Sequence, residues 1–290
     1  MSAPVAPHPS SPSVPPAPFT SEWLSKLYTT ANRSDENLGR AELSRALHRI
    51  TRGSAEAIVD AFRAVTPGDV HGKITSLVDL GCGRGLVLAT ALTKGFVWYA
   101  YGYDIDVGEV GWALERWIDP IEKQFREHRA KARVQLMNAV HFDARRDLVY
   151  RASFSPNGID PLGEAVWIYA LWTDWGDDTV RMLARRLLLE QGKYWTVFAC
   201  SAPSRSRTLD LFRFAAEKVN VARGTIETDE ALIEALEREY ELAHQLQVRL
   251  SGSLQTHTVY FYRHRQRPRP DHGGTVVTLQ EAAALFPDLM

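Results

Sequence analysis

The chain has 290 residues, enough for one large α/β domain with additions or for two small domains. Its 34 basic and 35 acidic side chains leave a formal charge of −1, so no global field recruits nucleic acid or an acidic membrane, and such a partner would need a local patch. Two cysteines, Cys82 and Cys200, make neither a disulfide framework nor, alone, a structural zinc site, and they read as reduced thiols.

The first 18 residues carry prolines at 4, 7, 9, 12, 15, 16 and 18, which remove backbone donors and predict a disordered, polyproline-leaning tail. No basic-then-apolar leader is visible, and no apolar run reaches the roughly 18 residues needed to span a bilayer. The expectation is a cytoplasmic or nuclear protein with no membrane partner. A helical segment is predicted over 19–70. Trp23, Leu24, Leu27 and Tyr28 recur at helical spacing, as do Leu43, Leu47 and Ile50, and a third helix runs over about 54–65 with Ile58, Val59 and Phe62 on one face. Thr66-Pro67-Gly68-Asp69 ends it.

From Ser76 short β-branched or aromatic runs alternate with amphipathic stretches, within a main domain expected over 71–265. Strands are predicted at about 76–80, 97–103, 133–138, 165–171 and 194–200, with helices at 84–94, 107–128 and 177–190. Helical stretches near 207–219 and 228–241 follow. Strands at 244–250 and 256–263, joined by Ser251-Gly252-Ser253, then read as a hairpin. The fold class is therefore α/β, a seven-stranded Rossmann-like sheet with a C-terminal antiparallel hairpin and N-terminal helices. Residues 266–290 read as a C-terminal tail. Arg263-His264-Arg265-Gln266-Arg267-Pro268-Arg269-Pro270 forms a basic run, read as a solvated tail or a grip on phosphate or an acidic surface.

Ser76-Leu77-Val78-Asp79-Leu80 is a buried strand that runs straight into Gly81-Cys82-Gly83-Arg84-Gly85 and then into a helix. Glycines are needed where the chain turns sharply or where a ligand approaches the backbone. The helix N-terminus beyond them offers unpaired N–H groups to a carboxylate. The spacing G-x-G-x-G, with an acid two residues ahead, is tighter than the dinucleotide loop and suits a sulfonium amino acid attached to adenosine, S-adenosylmethionine (SAM). Asp79, Gly81, Cys82, Gly83 and Gly85 are the candidate loop residues. Asp104, 19 residues past Gly85 at the end of the second strand, stands where a carboxylate accepts ribose hydroxyls, and Asp106 reads as a helix cap. After the third strand, Asn138 or Asp143 could accept from the adenine amino group, with Val140 or Phe142 against its face.

Strand four and its exit read Trp167-Ile168-Tyr169-Ala170-Leu171-Trp172-Thr173-Asp174-Trp175. Trp167 and Tyr169 are expected in the core. Trp172, Asp174 and Trp175, beyond the strand, stand where an acceptor is held, with Asp174 the first candidate base and His141 the second.

Asp79 to Gly85 together with Asp104 resembles the class I SAM-dependent methyltransferases over about residues 76–263. The run Leu77 to Leu88 resembles two groups of protein-lysine methyltransferases: the SET-lacking enzymes that methylate the nucleosomal histone core, and membrane-anchored mitochondrial enzymes. The histone group carries Tyr-Gly-Glu where this chain has Arg52-Gly53-Ser54, and an Asn and a Phe where it has Leu171 and Trp172. The resemblance implies a SAM-dependent N-methyltransferase acting on a protein lysine, with histone or nucleosome as the partner. The alternatives are a nucleic-acid or small-molecule methyltransferase and a catalytically inactive scaffold of the same fold.

Overall fold

The computed structural model describes residues 19–33, 49–68, 74–97, 99–124, 131–142, 165–171, 195–202, 240–251 and 256–265. Seven strands, β1 (Ile74–Leu80), β2 (Tyr99–Asp104), β3 (Lys131–Leu136), β4 (Ala165–Leu171), β5 (Trp195–Ala202), β6 (Tyr240–Arg249) and β7 (Thr256–His264), form one sheet in the order β3-β2-β1-β4-β5-β7-β6. β1 to β5 pair in parallel, and β7 runs antiparallel to both β5 and β6. This is the predicted Rossmann-like sheet with its terminal hairpin. The strand order reverses between β1 and β4, the place where open α/β sheets hold ligands at the carboxyl ends of their strands.

Both faces of the sheet are buried, which is why its strands read as nearly continuous apolar runs. Leu77, Trp167, Tyr169, Val197 and Phe261 point to one face, where α1 (Ser21–Arg33), α2 (Arg52–Val65) and α3 (Leu86–Thr93) pack in the same core. Val78, Ile168, Phe198, Cys200 and Tyr262 point to the other. α3 is buried at every position from Leu86 to Leu92, as expected of a helix wedged between other helices and a sheet. α2 is fixed by Phe62, which stacks on Trp167 at 5.1 Å and meets Phe261 edge-on at 5.1 Å, while Trp167 Nε1 donates to Thr66 Oγ1 at 3.1 Å. Thr51 caps its start by accepting from the Ser54 N–H at 3.3 Å.

Four expectations need correction. Ile50 does not end a helix: it forms an isolated antiparallel bridge with Leu250, and residues 34–48 lie outside the described residues. The helix expected over 107–128 is α4 (Val107–Ala113), a π-helical turn Leu114–Ile118, and α5 (Asp119–Gln124). Pro120 has no N–H and its ring crowds the preceding turn, so the helix widens just ahead of it, with the Asp119 N–H reaching back to Leu114 O. β6 starts at Tyr240, inside the stretch read as helical to 241. A register shift between Leu242 and His244 breaks the two-residue alternation that marks a strand. The basic run is not wholly a solvated tail: Arg263 is bonded to Glu241 and donates to Val65 O at 3.0 Å, and Arg265 reaches Tyr240 O and Glu241. The stretches predicted helical at 177–190 and 207–219, residues 228–239 of the one predicted over 228–241, and both predicted tails lie outside the described residues.

Candidate active site

β1 delivers Asp79 and Leu80 to the carboxyl edge of the sheet, and the chain turns back through Gly81, Gly83 and Gly85 with φ of 76°, 51° and 70°. A side chain at any of these would be strained, so the turn is available to glycine alone without cost. The turn is tied to β2: the Gly81 and Cys82 N–H groups both donate to Tyr103 O, at 2.8 and 3.1 Å. Close approach demands a fourth glycine, since a Cβ on Gly102 of β2 would lie 2.5 Å from Cys82 Sγ and 2.8 Å from Leu88. Gly102 is the register partner of Asp79, and Tyr169 is its partner on the other side.

Asp79 is 2% exposed, and its Oδ1 has no hydrogen-bond partner among the described residues. Burial pushes its carboxyl well above the usual range, and the negative charge of Asp104 adds to the effect. The hydroxyl of Tyr169, the register partner of Asp79 on β4, is likewise buried without a partner among the described residues, and burial raises its pKa as well. Asp79 and Tyr169 are register partners on the two strands at the strand-order reversal, so each leaves a buried polar atom there that a further polar group would complete. Cys82 is also buried, and burial together with Asp79 and Asp104 raises its thiol pKa, so it is a small packing residue and not a thiolate.

Asp104 ends β2 with its carboxylate turned to the loop. Oδ2 accepts from the Gly83 N–H at 2.7 Å and Oδ1 from the Asp106 N–H at 2.9 Å. Each oxygen keeps a lone pair for a further donor. Asp106 caps α4 as expected, accepting from Gly108 N at 2.9 Å and Glu109 N at 3.2 Å.

The structure brings Asp79, Gly81, Cys82, Gly83, Gly85 and Asp104 together around one turn. Asn138 follows β3 with its side chain exposed, and its carbonyl accepts from the His141 N–H at 2.9 Å. His141 is exposed too. Phe142 is buried against Tyr103 at 5.6 Å, so its ring fills the core and does not offer an open face. Asp143, Trp172, Asp174 and Trp175 lie outside the described residues. Trp167 and Tyr169 are in the core, as expected. Arg52-Gly53-Ser54 forms the first turn of α2: Arg52 reaches Glu56 of its own helix and Ser21 and Ser25 of α1, while Ser54 Oγ accepts from Arg249 N at 2.8 Å.

Sequence reasoning missed a polar group behind the loop. Glu109 Oε1 accepts from Arg49 Nη2 at 2.5 Å and Oε2 from Arg49 Nε at 3.2 Å, and Oε2 lies 3.5 Å from Arg84 Nε. Asp106 and Glu109 have the spacing of a capping box, in which the acid would bend back to the cap's own N–H. That N–H is taken by Asp104, which frees Glu109 for the arginines. The arginine inside the glycine string was the one visible signal. Among the described residues no three His, Cys, Asp or Glu side chains stand together to hold a metal ion, and no helix is long and apolar enough to cross a membrane.

No protein-family model and no curated protein sequence matches the chain. Solved structures similar to it include magnesium protoporphyrin IX methyltransferase from Synechocystis with bound S-adenosylhomocysteine (SAH), 13% identical over 84% of this chain and 96% of that one, with a TM-score of 0.43. A putative RNA methyltransferase from Pyrococcus horikoshii is 14% identical over 75% of this chain and 87% of that one, TM-score 0.40. A SAM-dependent methyltransferase from Leishmania major is 11% identical over 81% and 82%, TM-score 0.43. The fold assignment rests on the strand order itself.

Proposed function

We propose that the chain is a SAM-dependent methyltransferase whose cofactor lies across Asp79, the glycine loop and Asp104. The observation that carries this reading is the buried, unpartnered Oδ1 of Asp79 at the edge of a turn made of left-handed glycines. A buried carboxylate oxygen without a donor is costly, and the α-ammonium of SAM is a group that would complete it. The glycines leave bare backbone against the ligand, and the N-terminus of α3 faces its carboxylate. The spare lone pairs of Asp104 take the ribose hydroxyls.

The bound cofactor supplies a methyl group activated on a sulfonium. The chain's own task is to hold that group in line with an acceptor and to keep water out. Trp172 and Trp175, directly after β4, are assigned to the acceptor wall and Asp174 to the acceptor's proton. Asn138 or Asp143 is assigned to the adenine amino group. The resemblance suggests a protein lysine as acceptor, with a nucleic acid or a small molecule as the alternatives.

Calorimetric titration with SAM tests the reading. Wild-type protein should bind saturably, and Asp104→Ala should lose about a hundredfold in affinity, the worth of two charge-assisted hydrogen bonds. Transfer of labelled methyl to nucleosomes, RNA and small molecules offered side by side then identifies the acceptor. If wild-type protein binds no SAM, the reading falls and a scaffold that kept only the fold replaces it.

A further inference from the structure

Behind the glycine loop, Glu109 joins parts of the chain that are far apart in sequence. It stands in the first turn of α4, with Oε2 3.4 Å from the point where a Cβ on Gly83 would be. One partner, Arg84, is the loop's own side chain. It is buried, donates from Nη1 to Ala31 O in α1 and lies over the Trp112 ring at 4.8 Å, while its carbonyl accepts from Trp117 Nε1 at 3.0 Å. The other partner, Arg49, is part of the segment bridged to the end of β6. The Arg49 carbonyl accepts from Ser251 N at 2.6 Å, the Thr51 N–H donates to Arg249 O at 3.3 Å, and Ile50 pairs with Leu250. The Arg49–Glu109 pair is largely shielded, with side chains 10% and 19% exposed, so water screens it weakly.

We propose that Glu109 is a positioning residue for the glycine loop and that Arg49 couples it to the segment before α2, so that cofactor affinity depends on how that segment and the β6 end are seated. The inference rests on the cofactor reading above. Glu109 packs against Gly83, whose N–H is held from the other side by Asp104. Without Arg49, the Glu109 carboxylate keeps, among the described residues, the longer approach to Arg84, and the loop loses support from behind. Coupling of this kind passes through packed, hydrogen-bonded groups and is readable as a free energy shared between two places.

The test titrates SAH into the full chain as wild type, Glu109→Gln, Arg49→Gln, Arg49→Lys and Arg52→Gln, with thermal unfolding of each. Arg52 also ties α2 to α1 but does not touch the loop partners, which makes it the stability control. Glu109→Gln and Arg49→Gln should weaken SAH about tenfold, within the usual range of such couplings, while Arg49→Lys recovers part of the loss. Arg52→Gln should lower the unfolding temperature and leave SAH affinity unchanged. If affinity simply follows unfolding temperature across all four variants, the positioning role is overturned. Should wild-type protein bind no SAH, the cofactor reading has failed, and amide exchange still decides the positioning claim. Faster exchange over residues 81–85 in Glu109→Gln, with β7 unchanged, supports it, and unchanged loop exchange refutes it.

Discussion

Asp79 sits between Gly102 and Tyr169 in the sheet register, with one carboxylate oxygen left without a donor among the described residues. Its pKa is raised on folding by burial first and by Asp104 second. Such a group holds its proton in the folded state after the unfolded chain has released it. Stability therefore falls as pH rises above the ordinary carboxylate range toward the folded value. Asp79→Asn removes that penalty: its unfolding temperature should exceed wild type at pH 7, and the two should converge near pH 4, while SAM binding is lost. Scanning calorimetry against pH reads both the sign and the convergence. The hydroxyl of Tyr169, on the adjoining strand, is a second buried group without a partner among the described residues, so Tyr169→Phe should stabilise by about 1 kcal/mol in urea unfolding, the cost of a buried donor left unsatisfied.

At the scale of elements, two acids two residues apart do different work because one ends a strand and the other starts a helix. Asp104 holds Gly83 and the Asp106 N–H, whereas Asp106 holds the first turn of α4. Asp106→Ala should cost about 1 kcal/mol of stability, the usual worth of a helix cap, and change SAM affinity far less than Asp104→Ala does. Equal loss of affinity in both would show that α4 and the loop cannot be separated. The π-helical turn ahead of Pro120 is a second case where an element shapes the site. It carries Trp117, whose ring lies 2.7 Å from where a Cβ on Gly85 would be and whose Nε1 holds the Arg84 carbonyl.

Across the whole molecule, the N-terminal helices share one core with the sheet. Phe62 of α2 is fully buried between Trp167 of β4 and Phe261 of β7. Phe62→Ala should cost about 3 to 5 kcal/mol, and tryptophan fluorescence and far-ultraviolet dichroism should shift to lower denaturant together. Separate transitions would mean that the helices and the sheet unfold independently. The same continuity carries α1 into the site, where Tyr28 donates toward Leu86 O at 3.3 Å and meets Thr90 Oγ1 at 3.1 Å at the start of α3.

The sequence by itself determined the strands, the glycine turn and the acid after β2. Those features are local: short apolar runs bounded by turn residues, the need for φ above zero at Gly81, Gly83 and Gly85, and a carboxylate at a strand end are written residue by residue. It also separated Asp104 from Asp106, because capping depends only on the first turn of the helix that follows. Tertiary structure alone decided the rest. That β6 begins at Tyr240 is hidden by a bulge, and that Ile50 pairs with Leu250 depends on a contact 200 residues away in sequence. The orphaned oxygens of Asp79 and Tyr169 exist only because β1 and β4 are neighbours, and Glu109 meets Arg49 and Arg84 only once the sheet brings their elements to one edge. Long-range pairing fixes which polar groups are left without partners, and no local pattern in the chain encodes that.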